Sequence, residues 1–101
     1  MANSYRVAWN KRAFKTFQET TTYLSENFSY QSASNFANEV FDKIDVLKSY
    51  PTIGRKAPKR KSVHFVIIGK HRRLYYRIKG KTIFISSIFD TRQHPEKDVH
   101  Q

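Results

Sequence analysis

The stretch that constrains the fold most is residues 62–90, where two Gly-Lys dipeptides interrupt three runs rich in β-branched and aromatic residues. The dipeptides are Gly69-Lys70 and Gly80-Lys81. Glycine at the first position of a two-residue loop suits a type II′ turn, whose twist matches that of the flanking strands. The pattern therefore predicts three consecutive antiparallel strands, near 62–68, 71–79 and 82–90.

Two-residue loops would fix the register, with Ile68 opposite His71 and Lys79 opposite Thr82. Alternation then divides the side chains between two faces. The predicted core face is apolar, with Val63, Phe65, Ile67, Leu74, Tyr76, Ile78, Ile83, Ile85 and Phe89. The other face interleaves cations with aromatic and polar residues, namely His64, Val66, Ile68, His71, Arg73, Tyr75, Arg77, Lys79, Thr82, Phe84, Ser86, Ile88 and Asp90. A bulge at either turn would exchange the two faces.

The first half of the chain predicts one strand and two helices. Apolar residues alternate over 5–9, which favours a short strand, and Asn10 is a suitable N-cap for a helix over 11–27. Ser29 is a plausible cap for a second helix, whose apolar residues recur in steps of three and four. That helix should end at Tyr50, because Pro51 disfavours helical geometry in the residue before it.

The element order is therefore β-α-α-β-β-β, and the fold class is α+β. We expect a helical hairpin packed on one face of a small, mainly antiparallel sheet that the first strand also joins. A length of 101 residues without linker or repeat suits one domain spanning 1–101.

Charge is concentrated in one part of the chain. Of the net charge of +11, residues 46–89 contribute twelve Lys and Arg and no Asp or Glu. Such a surface attracts RNA, DNA or an acidic protein. The alternative is a solvated face that only keeps the protein soluble. The basic loop before the strands supplies the candidate RNA-binding residues Arg55, Lys56, Lys59, Arg60 and Lys61.

Composition excludes several classes of site. The chain has no Cys, and the spacing of its four His matches no zinc motif, so we expect no metal. It also lacks a nucleotide-binding glycine motif, so we expect no cofactor. A polar start without an apolar segment predicts a cytoplasmic protein with no membrane partner.

Three short motifs follow one another in the second half of the chain. Residues 50–55 read YPTIGR, residues 73–78 read RLYYRI and residues 89–95 read FDTRQHP. Their order and spacing, with the order of elements, resemble the RelE/ParE superfamily, the toxins of bacterial type II toxin–antitoxin pairs. The resemblance covers nearly the whole chain and implies a cognate antitoxin, for which an acidic segment would complement the basic surface.

The resemblance leaves the target open. RelE-like members enter the ribosome and cleave mRNA without a metal, using basic and aromatic side chains on the open sheet face. ParE-like members inhibit DNA gyrase and are not nucleases. Two departures disfavour the nuclease: no Tyr follows Tyr76, and residues 46–89 contain no Glu that could act as a base.

The basic sheet face still favours mRNA cleavage, so the leading prediction is a ribosome-dependent endoribonuclease with ribosome and mRNA as partners. Gyrase inhibition is the alternative, and a nontoxic RNA-binding module ranks third. The candidate catalytic residues are Arg73, Tyr75, Arg77, Arg92, His64 and His94. Arginines would stabilise the phosphorane charge, and Tyr75 or a His would stack or transfer protons.

Each candidate also has a structural interpretation. Tyr75 would then be a half-buried sheet aromatic, and each His an inert surface residue. Arg92 would pair with Asp90 or with the antitoxin. In the predicted register His64, Tyr75 and Ser86 lie side by side, with Arg73 and Arg77 flanking Tyr75.

Overall fold

The computed structural model describes residues 4–60 and 62–92, which form a five-stranded sheet with two helices. The elements in chain order are β1 (Arg6–Trp9), α1 (Lys11–Asn27), α2 (Tyr30–Ser49), β2 (Arg55–Lys56), β3 (Val63–Ile68), β4 (Arg72–Lys79) and β5 (Thr82–Asp90). The predicted helices and long strands are confirmed to within about one residue at most ends. The short β2 lies where only a basic loop was predicted.

The strands lie in the order β1-β5-β4-β3-β2. β1 is parallel to β5, and the other three pairs are antiparallel. The helical hairpin carries the chain from β1 at one edge of the sheet to β2 at the other. The predicted α+β fold with a mainly antiparallel sheet is thereby confirmed.

Both predicted helix caps are present. The side-chain oxygen of Asn10 accepts from the backbone N–H of Ala13 at 2.7 Å, and that of Ser29 accepts from Ser32 at 3.0 Å. Each bond satisfies an N–H that the first helical turn leaves without a partner. The amide of Asn10 also donates to the carbonyl of Ser86 at 3.0 Å, which ties the start of α1 to β5.

The main core lies between the helices and the sheet. The apolar stripe of α2 is buried as predicted, at Ala33, Phe36, Val40, Ile44 and Leu47. It packs with the buried strand residues Ile68, Leu74, Tyr76, Ile83, Ile85 and Ile88. Neither helix in the described part of the chain is long and apolar enough to cross a membrane.

The predicted register of the first hairpin is wrong by one residue. Ile68 pairs with Arg72 rather than His71, so the loop has three residues and begins at Gly69, whose φ is +64°. The second loop is as predicted, since Lys79 pairs with Thr82 across Gly80 at φ +56°. The extra residue exchanges the faces of β3, as the period of two requires.

Val66 and Ile68 therefore pack against the helices, whereas Phe65 belongs to a smaller cluster on the opposite side of the sheet. Ile67 lies on that opposite side by alternation. The apolar run of β3 did not reveal this reversal, because apart from His64 both of its faces are hydrophobic.

A second register change occurs inside β5. Tyr75 pairs with Ser87 and Tyr76 with Ile85, which leaves Ser86 as the extra residue of a β-bulge. Beyond the bulge Ile88 packs against the helices and Phe89 joins the smaller cluster, opposite to the prediction. Asp90 likewise lies with Arg72 on the helix side, although it was predicted to lie among the cations of the other face.

Candidate functional site on the open face of the sheet

The sheet face turned away from the helices, which we call the open face, carries a row of cations. Arg73, Arg77 and Lys79 alternate along β4, the central strand of the three-stranded meander. By register and alternation Arg55 on β2 and Arg6 on β1 lie on the same face. Exposed apolar side chains flank the row, because Arg73 pairs with Ile67 and Arg77 with Phe84.

Tyr75 lies at the centre of the open face and is completely buried. It belongs to a cluster with Ala57, Val63, Phe65 and the partly buried Phe89. Because Ala57 lies in the chain segment between β2 and β3, that segment covers part of the open face. The Tyr75 ring therefore offers no accessible surface on which a nucleotide base could stack.

Arg73 completes the cover over this cluster. Its guanidinium carbon lies 4.6 Å from the centre of the Phe65 ring, a cation–π distance. Its Nη1 donates a hydrogen bond to the Tyr75 hydroxyl at 3.2 Å. The Tyr75 hydroxyl therefore accepts a hydrogen bond from the guanidinium group that covers it.

His64 lies on the other side of the sheet from Tyr75. It pairs with Tyr76 and Lys56, and its ring stacks on that of Tyr76 at 5.5 Å. Its Nδ1 is buried and makes no hydrogen bond. Burial, with a further contribution from the charge of Lys56, lowers the pKa of His64. The imidazole is therefore neutral at pH 7.

The predicted row of His64, Tyr75 and Ser86 is thus wrong. Phe65 and Ser87 flank Tyr75 instead. The shifted first hairpin replaces His64 by Phe65, and the bulge replaces Ser86 by Ser87. Ser86 donates its hydroxyl to the backbone carbonyl of Tyr75 at 3.1 Å, which is a structural contact within the bulge.

Arg92 follows the end of β5 and pairs with Asp90, as its structural interpretation predicts. Its Nη2 lies 3.1 Å from Oδ2 of Asp90, and its Nε 3.3 Å from Oδ1. Burial alone would raise the pKa of Asp90, but hydrogen bonds from Arg92 and the charges of Arg92 and Arg72 outweigh it and lower that pKa. The same hydrogen bonds and the charge of Asp90 raise the pKa of Arg92.

Arg92 is also separated from the open-face cations. It lines a groove of about 600 Å³ together with residues of both helices, including Tyr23 and Ser32. Arg72, which contacts Asp90 from the helix side, lies 5.3 Å from the centre of the Phe36 ring in the main core. The structure therefore brings Arg73, Tyr75 and Arg77 together and places His64 and Arg92 elsewhere.

The predicted RNA-binding residues do not form one row. Arg55 and Lys56 are neighbours in β2, so their side chains point to opposite faces. Lys59 and Arg60 are exposed in the segment that follows. Lys61 and the candidate catalytic residue His94 lie outside the described residues.

Sequence reasoning missed two parts of the open face. Ile67 was placed in the core, and Arg6 was not singled out at all. The hydrophobicity of Ile67 could not have assigned it to one face of the sheet or the other. The pairing of Arg6 with Thr82 follows from the parallel β1–β5 contact. A row of cations with exposed apolar neighbours is suited to binding an acidic protein surface or a nucleic acid.

The sequence matches a family model over most of its length. A model described as the ParE toxin of the type II toxin–antitoxin system parDE matches residues 7–95. No curated protein sequence matches the chain significantly.

Solved structures share the fold at low sequence identity. A chain of the chromosomal ParDE toxin–antitoxin system from P. aeruginosa superposes with a TM-score of 0.72 at 15% identity, covering 87% of this chain and 97% of that one. A YoeB/ParE toxin from Agrobacterium tumefaciens superposes with a TM-score of 0.61 at 13% identity, covering 84% and 96%. These similarities concern the fold alone.

Proposed function

Because the chain belongs to the ParE toxin family of type II toxin–antitoxin systems, we propose that it is a toxin that binds and inhibits DNA gyrase through its open face. This reverses the order of the two targets predicted from sequence. It makes the protein an inhibitor that works by occupancy, without catalysis of its own.

The observation that carries this proposal is that the described strands place no His, Asp or Glu on the open face. Cleavage by attack of a 2′-OH needs a base and an acid at the phosphate. Within residues 4–60 and 62–92, the ionisable side chains on the open face of the strands are Arg, Lys and Tyr75. Tyr75 is buried, and arginine stays protonated at any working pH.

Ribosome-dependent mRNA cleavage is the second candidate. Arg73 and Arg77 support it, because two guanidinium groups two residues apart on one strand could both contact a phosphate backbone. In that case Arg92, Lys61 or His94 would have to supply chemistry that Arg73 and Arg77 lack. Binding of a target protein, without catalysis, is the simpler explanation for a face that holds cations and apolar side chains.

A cognate antitoxin is part of the proposal. Residues 46–89 carry twelve cations and no acid, so an antitoxin segment rich in Asp and Glu is its natural complement. Gyrase acts on the chromosome, so the proposed site of action is the bacterial cytoplasm.

Two assays on the purified wild-type protein test the target. We expect inhibition of DNA supercoiling by purified gyrase, and no new 5′ ends when ribosome-bound mRNA is analysed by primer extension. Cleavage of mRNA with normal supercoiling would overturn the proposal in favour of the second candidate. Normal supercoiling together with intact mRNA would exclude both targets.

A further inference from the structure

The end of the open face nearest β1 carries an exposed aromatic side chain among cations. Strand β5 lies there between β1 and β4. On β5, Phe84 pairs with Ala8 of β1 on one side and with Arg77 of β4 on the other. We call this area the Phe84 patch, and its members are Arg6, Ala8, Arg77, Lys79, Thr82 and Phe84.

The pairing places all three cations of the patch around the aromatic ring. Thr82 forms the next row, between Arg6 of β1 and Lys79 of β4. Both rows project from the open face, because alternate residues of a strand share a face. Cβ atoms of directly opposed residues lie about 5 Å apart and those of diagonal neighbours about 7–8 Å. Arg77 is therefore opposite Phe84, and Arg6 and Lys79 are its diagonal neighbours.

The patch is accessible and its charge is not neutralised. Phe84 is 39% exposed, and Arg6 and Lys79 are exposed as well. Within residues 4–60 and 62–92, none of the three patch cations forms an ion pair. All three charges are therefore available to a partner.

The other end of the open face is closed by comparison. There the rings of Phe65 and Tyr75 are buried, and the Arg73 guanidinium contacts both of them. The segment that contains Ala57 packs on the same cluster, which includes no member of the Phe84 patch. An aromatic ring that a partner could reach therefore lies at the β1 end, at Phe84.

The combination of ring and cations indicates the chemistry of the partner. An apolar anchor surrounded by groups that exclude water is the arrangement of an interface hot spot. Cations around the anchor are complementary to carboxylates around the pocket that receives it. Duplex DNA could supply phosphates for the cations, but its apolar groups lie at base edges inside the grooves. An acidic protein surface with an apolar pocket matches both parts of the patch.

We propose that the Phe84 patch is the part of the open face that anchors the toxin on gyrase. Phe84 enters an apolar pocket of the gyrase protein, and Asp or Glu side chains at the rim of that pocket meet Arg6, Arg77 and Lys79. This inference rests on the proposed function. It deepens that proposal by naming the anchoring residue and the kind of surface that gyrase must offer.

Binding of the purified toxin to purified gyrase in the absence of DNA tests the anchor. Phe84→Ala should weaken binding at least about tenfold, as truncation of a central apolar anchor does. Lys79→Glu keeps the ring, reverses one charge of the patch and should weaken binding in the same direction. Phe41→Ala is the matched control, because Phe41 is 49% exposed and lies on α2, away from the open face. It should bind like wild type, and thermal denaturation establishes that each variant folds.

Salt separates the contribution of the ring from that of the charges. Raising the KCl concentration from about 0.1 M to about 1 M shortens the Debye length from about 10 Å to about 3 Å. The defect of Lys79→Glu should therefore shrink, whereas that of Phe84→Ala should persist, because burial of apolar surface is not screened by salt. A Phe84→Ala defect that disappears at high salt would overturn the role of the ring as an anchor.

DNA binding without gyrase tests the alternative partner. Wild-type toxin and Phe84→Ala are each titrated into a fluorescent DNA duplex and into a single strand. We expect the two proteins to bind DNA equally, since such binding depends on charge. Weaker DNA binding by Phe84→Ala, with unchanged binding to gyrase, would assign the patch to nucleic acid and overturn the inference.

The outcomes also separate this inference from the proposed function. If the wild-type toxin binds and inhibits gyrase but Phe84→Ala and Lys79→Glu bind as wild type does, only the anchor is wrong. If the wild-type toxin neither binds nor inhibits gyrase, the proposed function is wrong and the anchor falls with it.

Discussion

The two faces of the sheet bury aromatic residues by different means. On the helix side, Leu74, Tyr76 and Ile85 are completely buried beneath two helices. On the open face, Phe65 and Tyr75 are buried beneath the segment that contains Ala57 and beneath a guanidinium group. The first face is a core closed by whole elements, whereas the second is a small cluster in a surface that remains charged.

Two adjacent tyrosines show what this difference means. Tyr75 and Tyr76 are equally buried, yet their hydroxyls serve opposite sides of the sheet. Tyr76 binds two backbone groups of the turn after α2, and Tyr75 accepts from Arg73. A buried aromatic on the open face is therefore part of the scaffold for the cations around it, which remain the groups able to meet a partner.

The largest expected effect is a loss of stability when a buried residue on the helix side of the sheet is truncated. Leu47 is fully buried and its neighbour Val46 is 43% exposed, so the two positions form a matched pair on α2. Leu47→Ala should lower the free energy of unfolding by about 2–5 kcal/mol. Val46→Ala should cost less than about 1 kcal/mol. Urea titrations of both variants give the comparison, and equal costs would mean that α2 packs through a different face.

The next effect concerns the cations on the two sides. Arg77→Glu reverses a charge on the open face and should weaken gyrase inhibition by about 30-fold, the loss typical of a central interface residue. Arg92→Ala, on the helix side, should change inhibition less than about twofold, within the range of peripheral contacts. Circular dichroism would establish that both variants fold. A larger loss for Arg92→Ala would move the functional surface to the end of β5.

The two tyrosine hydroxyls should differ in stability. Tyr76→Phe leaves the N–H of Gly54 and the carbonyl of Pro51 without their partner and should cost about 1–3 kcal/mol. Tyr75→Phe removes an acceptor from Arg73, whose partly exposed guanidinium can bind water, so it should cost about 0.5–1.5 kcal/mol. Thermal denaturation of the two single variants tests this order. The reverse order would show that the Tyr75 hydroxyl contributes more to stability than that of Tyr76.

The smallest expected effect is a pH-dependent contribution of Asp90 to stability, which is lost in acid. The pKa of Asp90 is lowered in the folded state, so its contribution to stability is present above its unfolded pKa and disappears as the pH falls through the folded pKa. Asp90→Asn should therefore lower the melting temperature by a few degrees at pH 7 and have no effect well below the folded pKa. Asp45→Asn removes an exposed partner of Lys48 and is the control. A pH-independent difference for Asp90→Asn would mean that packing, not charge, is responsible.

Local chemistry was sufficient to predict both helices and the four longer strands, but not β2. Asn10 and Ser29 cap their helices because each offers a side-chain oxygen to a free N–H, and Gly80 takes the positive φ of a two-residue loop. The helical stripe from Ala33 to Leu47 identified the buried face of α2, because a period of 3.6 is visible in one sequence. These features depend only on residues a few positions apart.

The candidate site depended on register, which local chemistry did not determine. One extra loop residue at His71 and one bulged residue at Ser86 exchanged His64 for Phe65 and Ser86 for Ser87 beside Tyr75. Apart from His64, both faces of β3 are apolar, so the sequence contained no polar pattern strong enough to reject the wrong register. Three of the predicted catalytic residues share the open face, and the others described do not.

The sequence by itself determined the order of helices and strands, the family and the concentration of positive charge, because each is a property of neighbouring residues or of composition. Tertiary structure decided which charges act together. Packing of the folded chain buried Tyr75, lowered the pKa of His64 through burial and joined Arg92 to Asp90. The hydroxyl of Tyr76 also holds the turn after α2, which lies over 20 residues earlier in the chain. Such contacts depend on the packing of distant segments, and no spacing along the chain encodes them.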